Sequence, residues 1–155
     1  MNIIKYKFIL TRTKRGLYDK FHEIQKNYGG IMLNSKKKLE AEISAAFIKF
    51  QRNLIGRGPQ EAKTYIINDM LIIRFKGVLT VEEKHLVNDN SGKKLVKQMR
   101  TLLREMYSED YEKIVEHHIG CKVLSSHSDI STKTGERIEM FIMDKDLEKY
   151  LETNQ

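Results

Sequence analysis

A chain of 155 residues with 40% hydrophobic and 32% charged residues has the size of one domain around one core, which excludes two full domains and a disordered polymer. Its apolar runs are a few residues long, far short of the ~20 that carry a helix across a bilayer, and its single cysteine, Cys121, excludes an internal disulfide and fits a reducing compartment, with the cytoplasm expected. The net charge of +7 would point to nucleic acid or an anionic surface, but seven Lys or Arg against Asp19 and Glu23 give residues 1–31 a net +5, and 21 basic against 19 acidic residues leave only +2 for residues 32–155.

The first stretch, "MNIIKYKFILTRTKRGLYDKFHEIQKNYGGI", differs in character from residues 32–155. "KYKFILTR" reads as a short strand and "GLYDKFHEIQKNY" as a short helix with Leu17, Phe21 and Ile24 on one face. The apolar "FIL" is too short for a signal-peptide core, and no small-residue cleavage site comes after it. Gly29-Gly30 ahead of Met32 is also what a ribosome-binding sequence yields when translated. Two expectations therefore stand for residues 1–31: a loosely attached basic extension, or a mis-called start with translation from Met32. Residues 32–155 are read as the single α+β domain.

From Asn34 or Ser35 as cap, Leu39, Ile43, Ala46, Phe47, Phe50 and Leu54 recur at helical spacing up to Gly56. "GRGP" comes next, Gly56 to Pro59. Two β-rich runs then flank Asn68-Asp69, residues that tolerate a tight hairpin turn. Pairing Ile67 with Met70 puts Ala62, Thr64, Ile66, Leu71, Ile73 and Phe75 on one face, and Lys63, Tyr65, Ile67, Met70, Ile72, Arg74 and Lys76 on the other. Thr80 and Glu83 have the spacing of a reciprocal helix cap. "NDNSG" interrupts that short helix, and Leu95, Met99, Leu102, Leu103, Met106, Ile114 and Val115 mark a long helix ending at Gly120. "CKVLSSHSDI" and "RIEMFIMD" read as a second hairpin with a Gly-containing loop, and "KDLEKYLETNQ" as a last helical turn or two. The order helix, hairpin, helix, hairpin predicts an α+β, two-layer fold: a four-stranded antiparallel sheet from two β-hairpins with helices on one face.

Chemical motifs are few. Ser125, His127 and Asp129 of "SSHSD" point the same way along a strand, ~7 Å apart, which does not make a relay, and no GxSxG elbow accompanies them. His117, His118 and Cys121 offer metal-ligand atoms, but histidines at a helix end are equally explained by the negative end of the helix dipole. No catalytic residue, cofactor or metal is expected. In "GRGP" a helix cap accounts for Gly56 and a stiff strand entry for Pro59. Arg57 between two glycines is set up to offer its donor fork to an acidic group: Glu83 or Asp129 within the chain, or a group on a partner or anionic ligand.

"GRGP" after an amphipathic helix, then a hairpin, "GVLTVEEKHLV", "GKKLVKQMR" and "GCKVLSSHSDIS" resemble the MpsC-like family from about residue 36 to residue 144. Its members are small soluble bacterial proteins, formerly a domain of unknown function, named for a component of a Na+-translocating, membrane-potential-generating system. The resemblance matches Gly56, Arg57, Gly58, Pro59, Gly77, Glu83, Arg100, Gly120, Ser128 and Asp129, of which Gly56, Arg57, Gly58, Pro59, Glu83, Arg100, Ser128 and Asp129 are the candidate binding residues. It brings no catalytic residue and implies a non-enzymatic accessory protein, cytoplasmic or peripheral at the inner membrane face, that acts with a membrane complex. A nucleic-acid-binding regulator, with Lys63, Arg74 and Lys76 as contacts, and a small-molecule sensor or enzyme are the alternatives. The apolar hairpin face further predicts a homodimer.

Overall fold

The computed structural model describes residues 35–153; the readings of residues 1–31 and of Asn34 as a cap lie outside the described residues. Residues 35–55 are helical (α1). A hairpin comes next, β1 (Glu61–Ile67) and β2 (Met70–Lys76), then α2 (Val81–Leu86), α3 (Asn90–Met106) and α4 (Ser108–Ile119). The second hairpin, β3 (Val123–Ser131) and β4 (Glu136–Met143), precedes α5 (Leu147–Thr153). The four strands form one antiparallel sheet in the order β1-β2-β4-β3.

Local chemistry places most boundaries. Gly56 adopts φ 78° and ends α1 in the left-handed conformation that costs glycine least. Asn68 turns the first hairpin at φ 52°, with Ile67 facing Met70. Thr80 and Glu83 form the reciprocal cap at the start of α2, and Asp89 accepts from the backbone of Ser91 and Gly92 to start α3.

Period-two alternation sends Ile66, Leu71, Ile73, Phe75, Phe141 and Met143 into a core shared with Ile43 and Phe47 of α1, Val96 of α3, Tyr111 and Val115 of α4 and Leu147 of α5. Among the described residues no helix packs on the opposite sheet face. On it Tyr65 faces Ile72, which faces Met140, and Met70 faces Ile142. Ile67 and Ile138 on that face are 44% and 48% exposed.

β1 is an edge strand, and α1 closes its outer side. Ser44 Oγ accepts from Thr64 N at 3.0 Å, and Glu40 Oε1 accepts from Ile66 N at 2.9 Å.

The expected long helix is two helices broken at Tyr107; of its expected apolar face, Val115 and Ile114 in α4 do meet the core, while most of the α3 positions face outward. Leu95, Met99, Leu102 and Met106 are exposed, while Gly92, Val96, Arg100 and Arg104 are buried. Two causes turn the helix this way. A Cβ on Gly92 would lie 1.8 Å from the Leu86 carbonyl oxygen, so glycine lets α3 press its backbone onto the end of α2. Arg100 and Arg104 then meet carboxylates already in the core, which hydrophobic spacing does not register.

Candidate functional site

The candidate site grows from the loop between α1 and β1. Gly58 passes so close to α1 that a Cβ would stand 3.2 Å from the Ile48 carbonyl oxygen and 3.3 Å from its Cγ2. Glycine there serves packing, while Gly56 serves the turn. Arg57 donates through Nη2 to the Gly77 carbonyl oxygen at 2.8 Å. Its internal partner is thus a backbone carbonyl rather than the expected carboxylate: Glu83 is taken by Arg100, and Asp129 by Lys97 at 3.3 Å. A helix N-terminus leaves little room for a second guanidinium on one carboxylate that already receives three donors.

Arg100 grips that corner at three points. Nε donates to Glu83 Oε1 at 2.7 Å, Nη2 to Oε2 at 2.6 Å, and Nη2 also to the Val78 carbonyl at 2.8 Å. Arg57 and Arg100 therefore hold the successive carbonyls of Gly77 and Val78, fixing the turn from β2 into α2. Burial raises the Glu83 carboxyl, but the hydrogen bonds from Arg100 and from the Thr80 backbone outweigh it, with Arg100 and Arg57 charge adding to them, and hold its pKa below the usual carboxylate value.

One turn along α3 lies a second buried array. Glu139 of β4, wholly buried, accepts from Arg104 Nε on Oε2 at 2.7 Å and pairs with Arg137 Nη2 through Oε1 at 2.7 Å. Ser128 donates its hydroxyl to the same Oε1 at 2.8 Å. Arg137 also donates to the Tyr111 hydroxyl at 2.6 Å. The Tyr111 ring lies 4.6 Å from the Arg104 guanidinium carbon and 5.3 Å from that of Arg137. Aromatic faces thus supply part of what solvent no longer does. A cleft of about 380 Å³ opens beside this array between β3 and the α3–α4 corner, lined by Arg100, Arg104, Arg137, Ser108, Ser128 and Asp129 among others.

Of the sequence candidates, the fold brings Arg100, Ser128 and Asp129 to the cleft, with Glu83 bound behind Arg100. Gly56, Arg57, Gly58 and Pro59 form the neighbouring loop on the Gly77 side. In the serine-histidine stretch, Ser125 Oγ and His127 Nε2 are 3.5 Å apart and exposed, and Asp129 faces Lys97. His118 Nδ1 lies 2.8 Å from the Ile114 carbonyl, as a helix-end histidine would. Among the described residues no group of His, Cys, Asp and Glu is arranged to hold a metal ion, and no helix is long and apolar enough to cross a membrane.

Comparison with known proteins places this geometry. Residues 35–145 match the family model described as "Na+-translocating membrane potential-generating system (MpsC)". The chain belongs to the MpsC family. Two proteins of Bacillus subtilis (strain 168) are similar to it, both described as uncharacterized. YbcI is 39% identical over 121 residues, covering 78% of this chain and 98% of YbcI. YrhF is 25% identical over 108 residues, covering 69% of this chain and 88% of YrhF. No solved structure matches.

Both arginine arrays lie inside the segment matched to MpsC. Sequence reasoning found Arg100 and Ser128 there but missed Arg104, Arg137, Glu139 and Tyr111. A cue existed. In "RIEMFIM", Arg137 and Glu139 share the strand phase of the buried Phe141 and Met143, so a core-facing strand carried two charges. Arg104 stands one helical turn after Arg100 on the face of Val96.

Proposed function

We propose that this MpsC-family chain is a non-catalytic accessory protein that works as a homodimer and docks, from the cytoplasm, on a membrane-bound Na+-translocating complex of the kind for which its family is named. The observation that carries the binding role is the open sheet face. Tyr65, Ile67, Met70, Ile72, Ile138, Met140 and Ile142 form one apolar surface across three strands. A contiguous surface of this kind marks an interface in a folded protein.

A second copy fits that surface by charge. A twofold axis parallel to the strands lays β1 of one copy over β3 of the other. One cross-strand row runs Lys63, Arg74, Ile138, Asp129, so each Lys63 then meets Asp129 of the other copy. In the next row, Ile72 meets Met140. The other twofold arrangement stacks β1 on β1 and β3 on β3, which keeps Lys63 away from Asp129 and forgoes that charge pairing. The family description supports the membrane complex as the dimer's client, and the +2 charge of residues 32–155 gives the nucleic-acid alternative little attraction.

Affinity purification of the tagged full chain from detergent-solubilised membranes tests this reading. Co-purification of ion-translocating membrane subunits with a dimer of this chain is expected. Recovery from the soluble fraction as a monomer, or with nucleic acid alone, would overturn it.

A further inference from the structure

The buried charges beside the cleft do not balance. Arg100 is matched by Glu83, which gives it both oxygens. Among the described residues Arg104 and Arg137 have only Glu139 between them, and side-chain exposure is 8% and 5% for the arginines and 0% for the glutamate. Both oxygens of Glu139 are already in use, one by Arg104 and the other by Arg137 and Ser128. Arg104 Nη2 and Arg137 Nε are buried with no hydrogen-bond partner among the described residues. A buried cation is stable when it is paired and its donors are used. The rings of Tyr111, Phe141 and Phe75 offset part of the excess, but a ring face takes no proton from a guanidinium edge.

A second donor set reaches the same cleft. α4 begins at Ser108 on its wall, and Tyr107 before it provides no side-chain cap. The first backbone N–H groups of this 12-residue helix carry the positive end of its dipole. Thr101 adds a hydroxyl on the α3 side. Two carboxylates, Glu105 and Asp129, also line the cleft, but both are exposed, and Asp129 is held by Lys97. Water screens charges so placed far more than it screens the buried guanidinium pair.

From this geometry we propose that the cleft between β3 and the α3–α4 corner binds a phosphate-type oxyanion, free or as the phosphate of a small monoester, with Arg104 as its anchoring cation. The volume of about 380 Å³ lies in the range of small-molecule sites. Neutral ligands and water leave the excess charge, whereas an oxyanion in the cleft offsets it from beside the buried guanidinium pair.

The test uses the full chain and inorganic phosphate at constant ionic strength, with sodium chloride as control. At ~10 mM and a Kd of ~1 mM, phosphate is expected to raise Tm by about 4 °C over the control and to show saturable 31P line broadening. Because Arg104→Met strips a partner from buried Glu139 and risks unfolding, Ser108→Glu is the deciding variant. A carboxylate at the first helical position suits the helix dipole and fills the cleft with the wrong charge. It is expected to keep the wild-type circular dichroism and weaken phosphate binding at least tenfold. Glycerol phosphate and acetate, run in parallel, separate the sources: binding of the ester but not free phosphate, lost in Ser108→Glu, assigns the site to monoesters. If neither phosphate nor its ester exceeds the chloride control, or if Ser108→Glu binds as tightly as wild type, the proposal is wrong.

Discussion

Arg100 and Glu83, 17 residues apart on neighbouring helices, form a two-point ion pair, 2.7 and 2.6 Å, with both side chains 5% exposed. Glu83 also caps its own helix through the Thr80 backbone N–H at 2.7 Å. One carboxylate therefore fixes the start of α2 and the rotation of α3. Arg100→Met alone strands a buried charge and is expected to cost ~3–5 kcal/mol in urea unfolding, whereas Arg100→Met with Glu83→Leu should recover most of it, less ~1 kcal/mol for the lost cap. Equal losses in the single and double variants would mean the pair is not what orders this corner.

Acid should expose the same carboxylate. The folded pKa of Glu83 is lowered, so the folded state favours the ionised form. Its contribution is complete above the unfolded value of ~4.3 and is lost as pH falls through the lower folded value. The stability gap between wild type and Glu83→Gln, from urea midpoints, should be widest near neutrality and narrow below pH ~4. A gap that widens on acidification would contradict the assignment.

For the open sheet face, Ile72→Lys puts a charge at the centre of the proposed dimer and should give a monomer by light scattering, with little change in Tm at concentrations where wild type is also monomeric. Lys63→Glu should weaken the dimer, and Lys63→Glu with Asp129→Lys should restore it. Failure of the swap to restore association would favour another arrangement of the copies.

Arg57→Lys retains charge but loses the fork. Because Arg57 Nη2 serves the Gly77 carbonyl, the substitution should lower stability by ~1–3 kcal/mol, and Arg57→Ala by about the same. Recovery of the proposed membrane partner should be unaffected. Unchanged stability with lost partner recovery would assign Arg57 to an outside acid instead.

The fold is legible in the sequence where chemistry is local. Asn68-Asp69, the Thr80 and Glu83 pair, Gly56 and Gly120 each mark their boundary through a backbone conformation or an orphan N–H that nearby residues answer. The face of α3 is not legible, because Leu95, Met99, Leu102 and Met106 have the more regular spacing and the inward pull comes from Gly92 and from carboxylates distant in sequence. The site is half legible for the same reason. Arg100 and Ser128 come with the family motif, but Arg104, Arg137 and Glu139 become a site only once β4 and α3 share a core. For Arg57 a carboxylate is the natural expectation, because a carbonyl 20 residues away leaves no mark in composition.

Ser44 and Glu40 act on β1 as a missing fifth strand would, by occupying the backbone donors of Thr64 and Ile66. Strand-by-strand growth from that side is therefore closed, and with it a common route by which sheet proteins stick to newly made copies of themselves. On the far side, Glu116 occupies the Val123 N–H at the start of β3 in the same manner. A chain guarded in this way can carry an apolar sheet face while two donors of its β1 edge stay occupied. Losing Ser44 and Glu40 together would reopen the backbone donors of Thr64 and Ile66 to another strand, without touching a residue of the apolar sheet face.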